Sequence, residues 1–159
     1  MTTDKEIRPV YAADAPARTK KSNYPEPFAS LMDSRVKQPL GDLFQLQNFG
    51  VNLTTIRSGG TSALRHSHSR QDEFVYVLSG EGLLWTANGS EQLKPGMCVG
   101  FKSGTGNAHK ITNNSPTDFV YLEIGDRAAG DVVSYPDDDL IASLKDGAWH
   151  FTHKDGSPY

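Results

Sequence analysis

Residues 60–80 read Gly60-Thr61-Ser62-Ala63-Leu64-Arg65-His66-Ser67-His68-Ser69-Arg70-Gln71-Asp72-Glu73-Phe74-Val75-Tyr76-Val77-Leu78-Ser79-Gly80. The run from Glu73 to Ser79 is apolar, rich in strand formers and closed by a glycine, which predicts a strand. A second strand is expected over 62–68. Side chains two positions apart share one face of a strand, so His66 and His68 project together. Glu73, Val75 and Val77 likewise share a face of their own strand. A carboxylate aligned with two valines is costly to bury unless a cation meets it. Two imidazoles and a carboxylate converging there make a metal site the economical explanation.

Short apolar or alternating runs recur on either side of this stretch. Strands are expected over 42–49, 51–57, 62–68, 73–79, 82–88, 97–101, 107–113 and 117–124. Asn88-Gly89 is a strong hairpin signal, and Ser79-Gly80-Glu81-Gly82 and Pro95-Gly96 mark further reversals. Only 26–36 and 137–145 look helical, the second with Asp137-Asp138-Asp139 as a helix-starting cap. Closely spaced strands without intervening helices predict an all-β antiparallel sandwich or barrel.

All 15 glycines follow residue 40, whereas five of the nine prolines precede it. Glycine punctuates turns, and proline in a glycine-free stretch means extended chain. Residues 1–40 therefore read as a proline-rich arm lying on the barrel or on a partner subunit. Residues 41–135 read as the β-domain and 136–159 as a short C-terminal tail.

The chain has 159 residues, the size of a single domain. Its 16 basic and 19 acidic side chains give a net charge of −3. That balance supplies no global field for nucleic acid or an anionic membrane, so neither partner is expected. The longest apolar run, Phe74–Leu78, is far shorter than the ~20 residues of a spanning helix. Met1–Glu6 lacks the apolar core of a secretory signal, so a cytoplasmic location is expected. A single cysteine, Cys98, excludes an internal disulfide and a cysteine-based zinc cluster; in a strand it is expected to pack as a small hydrophobe.

The spacing of Gly60, His66, His68, Glu73 and Gly80 resembles the first motif of the cupins at every fixed position. Gly106, His109 and Asn113 resemble the closing half of their second motif. Its opening glycine would be Gly96, two residues farther from His109 than the family spacing, and Gly104 stands where a proline is usual. The resemblance implies a double-stranded β-helix, the cupin jelly roll. It also implies that His66, His68, Glu73 and His109 hold one divalent ion of zinc, manganese, nickel, iron or cobalt. One activity it implies is isomerisation of a sugar or sugar phosphate, with Glu123 and Tyr121 as candidate proton-transfer groups beside Glu73. An Fe(II)-dependent dioxygenase and a non-catalytic module binding a small ligand are the alternatives. The whole chain resembles small single-domain bacterial cupins of the sugar phosphate isomerase type.

The same alternation has an outward consequence. If Glu73, Val75 and Val77 face inward, then Phe74, Tyr76 and Leu78 face outward, and three large apolar groups do not stand bare in water as a patch. Either the arm covers them or a second subunit does, and a homodimer is expected. Arg57, Arg65, Arg70, Lys102 and Lys110 are the cations nearest the expected barrel mouth and read mainly as solvated edge charges. Ser103–Asn107 reads as a hairpin loop and not as a phosphate cradle.

Overall fold

The structure, a computed structural model, describes residues 7–20 and 22–159. Residues 1–6, discussed above for their lack of a signal core, lie outside the described residues. In chain order the elements are β1 (Arg35–Pro39), a single helical turn α1 (Leu40–Leu43), β2 (Phe49–Ile56), β3 (Ser67–His68), β4 (Glu73–Ser79), β5 (Gly82–Thr86), β6 (Gly89–Leu93), β7 (Cys98–Phe101), β8 (Lys110–Thr112), β9 (Phe119–Asp126), β10 (Val132–Ser134), β11 (Ile141–Lys145) and β12 (Ala148–Thr152). Every strand pairing is antiparallel. Among the described residues no helix is long and apolar enough to cross a membrane.

One sheet runs β1-β2-β9-β4-β7. Facing it are β12-β11-β10-β3 and β6-β5-β8. Single bridges, Thr61 to Thr112 and His66 to His109, join these two into one continuous wall. The two walls make the jelly roll, an all-β fold as the strand spacing predicted. Ile56, Val75, Val77, Leu84, Leu93, Ile111, Phe119 and Tyr121 form the core between them. Each such Val, Leu, Ile or Phe contributes roughly 1.5–3 kcal/mol by leaving water. A second cluster, Leu64, Val133, Tyr135, Leu140 and Ala142, is closed by Tyr24 and Phe28 from the proline-rich stretch and by Trp149 and Phe151.

The alternation through β4 is as expected: Val75 and Val77 are buried, while Phe74, Tyr76 and Leu78 are 41%, 41% and 43% exposed. Among the described residues the arm does not cover them. It runs beside β1, at the opposite edge of the sheet from β7, with Arg18 N–H donating to Lys37 O and the Gln38 amide to Ala13 O and Ala15 O. Cys98 is exposed; it pairs with Tyr76 in the ladder and therefore shares the outward face, against the expectation that it packs inside.

Several expected boundaries moved, each for a tertiary reason. The stretch 26–36 forms only a 3-10 turn at Ala29–Met32 before β1 begins. Residues 137–145 form no helix: Asp137–Asp139 make a turn and Ile141–Lys145 is β11. There the ladder with β10 and β12 buries Ala142 in the second cluster, and sheet pairing overrides local helix preference. Asp139 accepts from His153 Nδ1 and Lys154 N, anchoring the tail instead of capping a helix. The expected strand 42–49 is α1 and a turn, and 62–68 is regular only at Ser67–His68.

Two glycines show why residues 60–80 admit nothing larger at their ends. Gly80 has φ +74, and a Cβ there would stand 2.1 Å from Asp118 O. At Gly60 a Cβ would meet Ser34 Cβ at 2.7 Å and Ile56 Cγ2 at 2.8 Å. Gly80→Ala combines left-handed strain with a backbone clash, so it is expected to destabilise the fold by at least about 2 kcal/mol. Chemical denaturation checks this, and a loss within ~0.5 kcal/mol contradicts it.

Candidate metal centre

The sheet pleat brings the polar residues together. Across the first sheet the inward positions form successive rows: Gly125, Glu73 and Phe101; then Asn52, Glu123, Val75 and Val99; then Lys37, Thr54, Tyr121 and Val77. Rows on one face lie about 6.5–7 Å apart. From the opposite wall come His66 and His109, locked by two backbone hydrogen bonds, His66 N–H to His109 O at 3.0 Å and His109 N–H to His66 O at 2.8 Å. His68 follows on β3, paired with Val133 of β10.

All three imidazoles turn Nε2 toward one carboxylate oxygen. Glu73 Oε2 lies 3.4 Å from His66 Nε2, 3.5 Å from His68 Nε2 and 3.1 Å from His109 Nε2. His66, His68 and Glu73 each offer a ligand atom within 4.8 Å of the others, and His109 meets the same oxygen. Ligands bound at about 2.1 Å to one ion are separated by about 3.0 Å in octahedral and about 3.4 Å in tetrahedral geometry. The His66 and His109 separations fall within that range, and the His68 separation of 3.5 Å stands just above it.

Proton bookkeeping supports the fit. His66 Nδ1 donates to Leu64 O at 2.8 Å and His68 Nδ1 to Asp131 Oδ2 at 2.5 Å. Both acceptors take protons only, so each neutral ring presents a bare lone pair at Nε2. Glu73 Oε2 is itself buried without a properly oriented hydrogen-bond donor. Lone pairs facing a carboxylate repel, and a divalent cation among them reverses the sign. The three histidines and Glu73 can therefore hold a metal ion.

Titration of the groups reflects the same crowding. Burial pushes the Glu73 carboxyl up, but the facing His109 and His66 outweigh it and hold it well below the usual carboxylate range. Burial would lower His66, yet the Glu73 carboxylate raises it above the ordinary histidine value. His109 is lowered, chiefly by burial; its ring stacks on Phe101 with centroids 3.5 Å apart and planes 3° apart.

A cavity of about 210 Å³ opens beside these residues, and Glu123 and Tyr121 line it along with the four candidate ligands. Lys37, which the sequence reading did not single out, donates to Glu123 Oε1 at 2.6 Å, and the Asn52 amide donates to the same oxygen at 3.3 Å. Burial lowers the Lys37 ammonium, with Glu123 partly offsetting it. Burial holds the Tyr121 phenol protonated, well above its ordinary value. None of the five cations expected near the mouth lines the cavity; its cations among the described residues are Arg18, Arg35 and Lys37. They come from the proline-rich stretch, whose local sequence carries no strand alternation strong enough to place them.

The cupin-domain family model matches residues 52–125. A sugar phosphate isomerase of the cupin superfamily from Silicibacter pomeroyi is 34% identical, with 96% of each chain covered and a TM-score of 0.90. The chain belongs to the cupin superfamily. A provisionally assigned sugar phosphate isomerase from Acidithiobacillus ferrooxidans is 35% identical over 79% of this cupin and 80% of its own chain, with a TM-score of 0.72. The polyketide cyclase RemF from Streptomyces resistomycificus, 16% identical over 76% of this chain and 79% of its own at a TM-score of 0.61, shares the fold. No curated protein matches the sequence.

The metal-loaded cupin is expected to be more stable than the metal-free one. A ligand at 100 times its Kd adds about 2.7 kcal/mol, readable as a rise in the melting midpoint on adding Zn²⁺ or Mn²⁺. His66→Ala should abolish both the shift and the bound metal in elemental analysis. An equal shift in wild type and variant would show that the ion binds elsewhere.

Proposed function

We propose that this cupin is a metal-dependent isomerase of a sugar or sugar phosphate. The observation that carries the reading is the placement of two different groups in one cavity: a metal-ligand set on the Glu73 row, and a carboxylate, Glu123, on the next row. A bound divalent ion would supply Lewis-acid polarisation of a carbonyl and its neighbouring hydroxyl. Glu123 then acts as the base. Its carboxylate takes the proton from the carbon bearing the hydroxyl and returns it to the former carbonyl carbon, while the hydroxyl proton passes to the former carbonyl oxygen. Lys37 and Asn52 hold Oε1, fixing the carboxylate while its other oxygen serves the carbon centre. Tyr121, kept protonated by burial, serves as a hydrogen-bond donor and not as the base. Arg18, Arg35 and Lys37 give the cavity a cationic side suited to an anionic sugar. The names of two relatives, the isomerases from Silicibacter pomeroyi and Acidithiobacillus ferrooxidans, support the substrate class.

Turnover is tested on aldoses and aldose phosphates with protein reloaded with Mn²⁺, Ni²⁺, Co²⁺ or Zn²⁺. Glu123→Gln should lower kcat by about 10²–10⁴-fold while leaving metal content at the wild-type level. Iron in the purified protein with oxygen uptake would replace this reading by the dioxygenase. Tight metal and sugar binding without turnover would replace it by the ligand-binding module.

The outward face of β4 supports a second proposal, that the protein is a homodimer. Phe74, Tyr76, Leu78 and Cys98 lie exposed together, and the described residues of the arm that bond to β1 lie at the other edge. Light scattering should give twice the chain mass of 17.4 kDa, and Tyr76→Asp should shift it to monomer. A wild-type monomer ends the proposal.

A further inference from the structure

We infer that Asp131 is the positioning residue of the metal centre, fixing the His68 tautomer that leaves Nε2 free to ligate. The inference rests on the metal-site reading but draws on a different part of the molecule. Asp131 is 0% exposed and directly precedes β10. Its backbone carbonyl accepts from Leu144 N–H of β11 at 2.9 Å, so its position is set by the pairing of β10 with β11 and not by an ion.

The two carboxylate oxygens divide their work. Oδ1 accepts from Ser69 Oγ at 3.1 Å, Arg70 N–H at 2.8 Å and Gln71 N–H at 3.4 Å, holding the turn after β3. Oδ2 faces His68 Nδ1 at 2.5 Å. A buried carboxylate only accepts, so the ring proton stays on Nδ1 and the lone pair on Nε2. Such a carboxylate–histidine contact also makes the ring a stronger ligand.

The three ligand histidines are oriented by three different devices. His66 donates to a main-chain carbonyl, Leu64 O, which no side-chain substitution removes. His109 Nδ1 has no hydrogen-bond partner among the described residues, and its ring is held by stacking on Phe101. For His68, uniquely of the three, a side chain selects the tautomer. Residues beyond the strand that carries His68 therefore govern one ligand of the centre.

Asp131→Asn separates this role from the structural one. The amide oxygen can occupy the Oδ1 position and keep the three turn bonds. The amide nitrogen then faces His68 Nδ1 as a donor, so the ring must accept there and carry its proton on Nε2, where it blocks ligation. The flipped amide is disfavoured, because its NH₂ would meet the Arg70 and Gln71 N–H groups.

The test is a long-range ¹H–¹⁵N histidine spectrum of the metal-free protein at a pH where the rings are neutral, paired with Zn²⁺ and Co²⁺ affinity by chelator competition. Wild type should carry the His68 proton on Nδ1, and Asp131→Asn on Nε2, with a metal affinity 10–100-fold lower and an unchanged melting midpoint for the metal-free form. Ser69→Ala, which removes the hydroxyl's bond to Asp131 Oδ1 and the bond it accepts from Val132 N–H without touching His68, should bind metal like wild type. A wild-type His68 protonated at Nε2 overturns the inference without any variant, so a poorly folding Asp131→Asn leaves it open to refutation. Unchanged tautomer and affinity in Asp131→Asn overturn it as well. Failure of the wild type to bind either ion instead refutes the metal site, and the tautomer comparison still judges Asp131.

Discussion

Glu73 Oε2 surrounded by three imidazole nitrogens is the contact around which the molecule is arranged. A carboxylate and three histidine rings are expensive to remove from water one at a time, and here they are removed together, at the end of an apolar core. The antiparallel walls supply the force that holds them. Glu73 sits in the same inward file as Val75 and Val77, whose burial fixes its direction. His66 and His109 exchange two backbone hydrogen bonds across the opposite wall, which fixes the main-chain positions from which both rings reach inward.

The cavity beside this contact owes its chemistry to strands that come from the two ends of the chain. Lys37 enters on β1, and Asp131 is pinned through its backbone by β11. Tyr24 packs edge-on against Tyr135 and Phe151, with centroids 5.8 and 5.9 Å apart, so the N-terminal stretch and the tail close the same end of the roll. The proline-rich segment thus contributes a strand and a wall of the cavity as well as an extended strap. Its cations reach the cavity because β1 is registered against β2, placing Arg35 opposite Ile56 and Lys37 opposite Thr54.

Much of this was legible in the residues themselves. The strand at 73–79 and its two faces follow from period-two alternation, and His66, His68 and Glu73 follow from their spacing. The hairpin at Asn88-Gly89 appears between β5 and β6. The helix expected at 137–145 misled because Ile141-Ala142-Ser143-Leu144 has no decisive period of its own; its partners in β10 and β12 choose the strand. Cys98 misled for a related reason: strand residues alternate, and only the register against Tyr76 tells which face Cys98 takes. Lys37 was hidden in a stretch whose prolines dominate its local signal.

By itself, the sequence determined the pattern of turns, the inward file of β4 and the set of side chains able to grip a cation. These depend on neighbours a few residues apart, where backbone periodicity and glycine freedom act directly. Only the tertiary structure decided that Lys37 would meet Glu123 and that Asp131 would hold His68. Those pairs are separated by 86 and 63 positions. No local preference encodes them, because their meeting depends on strand register and on which edge of each sheet the chain returns to.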